Sequence, residues 1–301
     1  MTTVLHYVFA PGLLQSEEVL HAFLVGILVA VISGVVGVFV VLRGQSFVGH
    51  VLTDIGAAGA SGSFLVGVNA WYGFISFGIL AGAGVEWLGD RARNRDVATG
   101  IILSFAMGLG SLFLYFDTRF TSNASAPMMV LFGSMFVLNP GVIPIVTFTG
   151  LAALVVLLLI YRPLLVCSVN PEIAKTRGIP VRLVGILFMI LLAIAIEDGS
   201  LVVGSLLSTA LIIGPPATAI RLTSRIGLAS VLSAGIGVVA TGLGILLAYD
   251  SYLWPPVHRG WPVSFFIAVL VLVFYLLSRL WPERRYAYAQ GAGSARREEV
   301  A

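Results

Sequence analysis

Val19-Leu-His-Ala-Phe-Leu-Val-Gly26-Ile-Leu-Val-Ala30-Val-Ile-Ser-Gly34-Val-Val-Gly-Val-Phe-Val-Val-Leu42 contains no Asp, Glu, Lys or Arg, and Glu18 and Arg43 bound it. A bilayer core of about 30 Å is crossed by roughly 20 apolar residues at a rise of about 1.5 Å each. The run is long enough to cross once as a helix. It does not read as a signal peptide, because two acidic residues, Glu17 and Glu18, stand where a basic segment would precede the apolar stretch. Gly26, Ala30 and Gly34 recur every four positions, which puts a stripe of small residues on one helical face.

The whole chain repeats this character. Of 301 residues, 58% are hydrophobic and 10% are Asp, Glu, Lys or Arg, against about 25% charge in a soluble domain. So few charges cannot cover the surface of a water-soluble globule, and a disordered chain would be more polar. The class left is an all-α, polytopic transmembrane helical bundle. A single cysteine, Cys167, excludes an intramolecular disulfide and a cysteine-rich metal site. No soluble basic domain is present to carry nucleic acid.

Charge-free stretches place the other spans. Residues 55–85 hold the end of a second helix, a turn at Asn69-Ala-Trp-Tyr-Gly73 and a third helix; residues between Asp96 and Asp117 form a fourth. Between Arg119 and Arg162 the charge-free run is too long for one helix. It divides at Asn139-Pro140-Gly141 into a short broken or re-entrant element near 124–138 and a span near 141–161. Further spans fall near 183–196, 200–220, 226–248 and 262–278. The total is nine crossings, or eight if one stretch only dips in. With the N-terminus outside, fifteen of the seventeen basic residues lie on the inner side, and only Arg119 and Arg259 lie outside. The expected organisation is an outer segment 1–19, a transmembrane domain 20–280 and a cytoplasmic tail 281–301, in a cell membrane with the C-terminus inside.

Ionisable groups inside a membrane are costly, which makes them functional candidates. In Arg43-Gly-Gln-Ser-Phe-Val-Gly-His50-Val-Leu-Thr-Asp54, His50 and Asp54 are four apart and share a helical face. If Arg43 marks the inner surface, they lie about 10 and about 16 Å deep. An imidazole beside a carboxylate suits a divalent cation such as zinc, manganese or ferrous iron. Two ligands from one helix cannot close a site but can form a transient stop. A buried hydrogen bond that fixes helix packing is the competing explanation. Glu197 and Asp198 fall at the outer end of the sixth span, where carboxylates are either simply solvated or attract incoming cations. His258 lies in an outer loop among aromatic and proline residues, suited to an interfacial belt or to docking a partner. Pro215 and Pro216 fall inside the seventh span and are expected to kink it. Stretch 170–180, Asn-Pro-Glu-Ile-Ala-Lys-Thr-Arg-Gly-Ile-Pro, carries helix start and stop signals. Asn170 caps, Pro171 and Glu172 suit the first turn, and Gly178 with Pro180 ends it. A short cytoplasmic helix there could take a push from a soluble motor, or could simply connect two spans. No Walker A sequence and no His-Glu-x-x-His is present, and no complete catalytic set is visible.

The order of segments resembles the permease subunit of the metal-ion ATP-binding-cassette importers, a family that takes up zinc, manganese or iron. The similarity spans about 20–280. It is carried by Gly34-Val-Val-Gly-Val-Phe-Val-Val-Leu-Arg43, Asp96-Val-Ala-Thr-Gly100-Ile, Leu131-Phe-Gly133, the 170–180 stretch and Val203-Gly-Ser-Leu-Leu-Ser-Thr-Ala-Leu-Ile-Ile-Gly-Pro215-Pro-Ala-Thr-Ala219. The family's second helix typically reads Asp-x-x-x-His; here His50 comes first and Asp54 lies deeper. The resemblance implies that two copies of the chain form a pathway and that His50 and Asp54 line it. It implies that an extracytoplasmic metal-binding protein delivers the ion. A separate ATPase would use ATP and engage a coupling helix at about 171–178, through Pro171, Glu172, Ala174 and Gly178. This chain would bind no cofactor, and the metal would be its substrate. A permease for a chelated or organic substrate and a proton-coupled carrier are the alternatives.

Overall fold

The computed structural model describes residues 16–88, 92–121, 130–133, 135, 141–252 and 260–280. Every regular element in them is helical. In chain order these are α1 (Glu17–Leu42), α2 (Ser46–Val66), α3 (Ala70–Leu88), α4 (Ala92–Phe116, continued as a π-turn Asp117–Thr121), α5 (Ile143–Val169), α6 (Pro171–Thr176), α7 (Val181–Val203), α8 (Ser205–Leu222), α9 (Ile226–Ser251) and α10 (Val263–Arg279). Five of them (α1, residues 99–120 of α4, α5, α7 and α9) are long and apolar enough to cross a membrane. His50, Asp54 and a high content of Gly, Ser and Ala make α2 less apolar than these. Large apolar side chains face outward on several helices, including Ile101, Phe105, Leu112 and Tyr115 on α4 and Phe148, Leu158 and Leu159 on α5. A soluble protein would not leave such a surface, but a lipid-facing one does. The molecule is a multi-pass helical membrane protein.

The small-residue stripes decide which helices touch. In lipid, helices associate through close packing, so seams of Gly, Ala, Ser and Thr let backbones approach. The α1 stripe meets a second one on α9 in antiparallel fashion. A Cβ on Gly34 would stand 2.8 Å from the Cα of Ala234, one on Gly26 would meet the Thr241 methyl group at 3.0 Å, and Gly237 lies over the Ala30 carbonyl. On another face of α1, Gly37 fits against the Ile212 carbonyl of α8. Antiparallel α2 and α3 close on Gly59 and Gly73, each against the other's carbonyl. Around these seams, one apolar core lies near Phe39, Leu164, Phe188 and Leu192. A second lies toward the opposite end near Val25, Val146, Val203 and Ile267.

The structure corrects several boundaries. The break expected at 197–199 is absent: α7 runs unbroken to Val203, and the chain reverses at Gly204 alone. α5 continues through Arg162 and Pro163 to Val169, beyond the expected end near 161. Pro163 is tolerated six residues before the helix ends, and Pro215 and Pro216 both sit inside α8. The N-terminal segment to residue 15, most of the broken element near 124–138 and the tail 281–301 lie outside the described residues. Within that broken element the described pieces are a helical turn at 130–132, Gly133 and a buried Met135.

Gly204 has φ 101 and ψ 150, and Gly133 has φ 78; the two backbones pack directly on each other. The Gly204 conformation is essentially closed to other residues, and a Cβ there would collide with the carbonyl carbon of Phe132. Gly204→Ala is therefore expected to cost about 2 kcal/mol or more, seen as a fall of several degrees in the melting temperature of detergent-purified protein. Gly84→Ala, where a Cβ meets nothing within 4 Å, serves as the control and should leave the melting temperature unchanged or slightly raised.

Candidate functional site

The turn before α2 is set by Gly44, at φ 63, and by Gln45, whose side chain accepts a hydrogen bond from Arg43 Nε at 3.1 Å. The Arg43 guanidinium also lies over the Phe188 ring, 5.0 Å from its centroid, which fixes the start of α2 against α7. From there α2 divides its faces. Gly49, Thr53 and Gly56 turn inward toward α7 and α8. Thr53 Oγ1 bonds the Gly49 carbonyl at 3.0 Å and lies 3.3 Å from the Thr209 hydroxyl. His50 and Asp54 occupy a different face. His50 Nε2 is 3.6 Å from Asp54 Oδ2, with side chains 51% and 14% exposed respectively. The spacing of four brings the two groups together, as helix geometry requires.

Among the described residues no group of three or more His, Cys, Asp or Glu side chains comes together to hold a metal ion. One chain therefore offers the two-ligand set of α2 and no closed metal cage there. Such a pair can bind a borderline or hard divalent cation through imidazole nitrogen and carboxylate oxygen. It leaves most of the coordination shell to water or to another chain.

Glu197 and Asp198 are not at a solvated helix end. Because α7 continues to Val203, both are buried inside the bundle, at 0% and 1% exposure. Asp198 is held from two sides. Trp71 Nε1, at the start of α3, donates to it at 3.3 Å, and Thr149 Oγ1, on α5, donates at 3.1 Å. Glu197 points the other way, against Gly56 of α2 and Gly78 of α3. Trp71 and Thr149 carried no signal in the sequence as partners, since neither is near Asp198 along the chain. The glycines at 56 and 78 likewise become meaningful only when the carboxylate that fills their space is placed.

The short helix α6 forms with the local chemistry its sequence dictates. Asn170 Oδ1 accepts from the backbone N–H of Glu172 at 3.0 Å and of Ile173 at 3.2 Å. Lys175 Nζ is 2.9 Å from Glu172 Oε1. Gly178, at φ 73, ends the helix as Ile179 N–H donates to the Ala174 carbonyl. Ala174 is fully buried in the core around Phe188, while Pro171, Glu172 and Gly178 are exposed. A cavity of about 550 Å³ beside α6 is bounded by Leu42, Val169, Ile173, Arg177 and Ser224. His258 lies outside the described residues.

The chain is similar to known proteins along nearly its whole length. The chain is 28% identical over 271 residues to the manganese import system permease protein ScaB of Streptococcus parasanguinis, covering 90% of this chain and 92% of that one. It is 27% identical over 247 residues to the high-affinity zinc uptake system membrane protein ZnuB of Haemophilus influenzae, covering 80% and 92%. Its fold superimposes on the solved structure of PsaBC from Streptococcus pneumoniae in complex with Fab. The TM-score there is 0.78 at 25% identity, over 95% of this chain and 99% of the other. The model of the ABC 3 transport family matches residues 15–278, nearly the whole helical bundle, and the chain belongs to that family.

Proposed function

We propose that this protein is the membrane permease of an ATP-binding-cassette importer for a divalent metal ion (zinc, manganese or iron). The observation that carries the reading is the His50–Asp54 pair, 3.6 Å apart on one face of α2, in a chain whose relatives include manganese and zinc permeases. Nine helices cross the membrane in this reading, α1–α5 and α7–α10, with the N-terminus outside and the C-terminus in the cytoplasm. The distribution of basic residues supports that orientation.

The exposure of His50 in the single chain supports a homodimer in which two α2 helices face one pathway. Four side chains, two imidazoles and two carboxylates, would then surround a passing ion. An extracytoplasmic binding protein delivers the ion, and access alternates under the control of ATP binding and hydrolysis in a separate ATPase subunit. That subunit engages α6 from the cytoplasm. Pro171, Glu172 and Gly178 supply the exposed contact surface, and Ala174 seats the helix on α5 and α7. Because Ala174 is buried in the same core as Phe188, and Arg43 at the start of α2 lies on the Phe188 ring, displacement of α6 has a short mechanical route to α2.

His50→Ala and Asp54→Ala are expected to abolish manganese and zinc uptake by reconstituted transporter while the purified complex keeps its size and ATPase subunits. Undiminished uptake in the double variant overturns the path assignment, and uptake that needs no ATPase but collapses with the proton gradient would identify a proton-coupled carrier instead. Asn170→Ala removes the cap of α6 and should cost about 1 kcal/mol of local stability. It is expected to lower metal-stimulated ATP hydrolysis by the assembled complex several-fold, with the affinity of the permease for metal unaltered; equal loss of both would show that α6 does more than couple.

A further inference from the structure

Thr53 stands directly before Asp54 on α2 and has no exposed surface. Its hydroxyl has one proton, which goes to the Gly49 carbonyl at 3.0 Å, because a carbonyl can only accept. The Thr209 hydroxyl, on α8, lies 3.3 Å from the Thr53 oxygen. With the Thr53 proton already used, Thr209 is the donor and Thr53 the acceptor. This contact joins α8 to the ligand helix at the level of Asp54. The same face of α2 offers little else that is directional. Gly49 and Gly56 flank Thr53 and carry no side chain, and a Cβ on Gly49 would meet Ile196 and Ile212 only at ordinary contact, 3.8 and 3.9 Å. Glu197 fills the hollow at Gly56 without a hydrogen bond. A side-chain tip lies about 5–6 Å from its helix axis, so a turn of α2 by about 20° would carry it about 2 Å. His50 and Asp54 would move together, staying 3.6 Å apart but shifting against everything outside α2. One chain supplies only two ligands, so the rotation of α2 decides how they meet those of a second chain.

We propose that Thr209 is a positioning residue of the transport path. By donating to Thr53 it fixes the rotation of α2 at which His50 and Asp54 of one chain meet the pair of the other. This rests on the path assignment made above. Thr209 does not ligate the ion; it acts through Thr53 on the residue next to it. Misplacing ligands by about 1 Å is enough to weaken a site that depends on their alignment.

The test is binding of Mn²⁺ to the purified complex of permease and ATPase, read from the loss of the free-ion electron paramagnetic resonance signal. Thr209→Val keeps the shape and removes the donor; it should raise Kd about fivefold with the melting temperature unchanged, while Thr209→Ser, which keeps the hydroxyl, should stay within about twofold of the parent. An unchanged Kd in Thr209→Val overturns the proposal, and so does a loss in Thr209→Ser equal to that in Thr209→Val, which assigns the residue to packing. Thr53→Val breaks the same contact from α2 and carries the comparison if Thr209→Val does not assemble. Joined to Thr209→Val it should add nothing; additive losses show that the two hydroxyls act separately and also overturn the proposal. Asp54→Asn, run alongside, separates the two readings. If it keeps the parental Kd, the path itself is misplaced. If it abolishes binding while Thr209→Val keeps the parental Kd, only the role of Thr209 is lost.

Discussion

Apolar side chains gain nothing by leaving hydrocarbon for the interior of a helical bundle, since lipid tails are as apolar as leucine. The architecture must therefore be held by shape, and the closest approach two helices can make is backbone to backbone. This constraint runs through the whole molecule. The Gly26–Ala30–Gly34 stripe lies against Ser233, Ala234, Gly237 and Thr241, Gly37 against Ile212, and Gly59 against Gly73. Each seam fixes a register between two helices, α1 with α8 and α9 and α2 with α3. The single-residue reversal at Gly204 is the same device in a turn. Only a glycine both adopts that conformation and leaves room for the Leu131–Gly133 backbone.

The same tight packing decides where polar groups can sit. A helix that carries His50 and Asp54 has to keep them away from its seams, and α2 does so by giving Gly49, Thr53 and Gly56 to its neighbours and the ligand pair to another face. A seam made of glycines also leaves hollows that a side chain from a third helix can fill. Glu197 occupies such a hollow, between Gly56 and Gly78. Asp198, one residue on, is turned away from it toward Trp71 and Thr149. Adjacent positions on α7 thus tie that helix to α2 and α3 on one side and to α3 and α5 on the other.

Much of this was legible before any coordinates. Charge-free runs bounded by Glu18 and Arg43, or by Arg162 and the preceding turn, are one-dimensional signals of helices in lipid, and the i, i+4 relation of His50 and Asp54 follows from helix geometry alone. The cap at Asn170 and the stop at Gly178 were readable because the determining contacts are within five residues. What could not be read is long-range. Nothing near Asp198 in the chain announces Thr149 or Trp71. Charge counting itself misplaced the end of α7, because two acidic residues inside a helix look the same in sequence as two at its end. The helix keeps them because Trp71 and Thr149 satisfy one and two glycines make room for the other.

The proposed path also accounts for why so little coordination is built into one chain. A structural zinc site closes four ligands around the ion and keeps it. A permease has to release what it binds, and each added ligand lowers the ion further into a well it must later leave. In the proposed dimer, two ligands on one face of α2 would form a shallow well, deepened only where the second chain brings its own pair. The order of those ligands bears on depth. With His50 about one helical turn nearer the Arg43 end than Asp54, the proposed orientation puts the carboxylate on the outer side of the imidazole. The imidazole and carboxylate stand 3.6 Å apart, so one ion would touch both at once, and two ligands from one chain leave most of its shell to water or to the second chain.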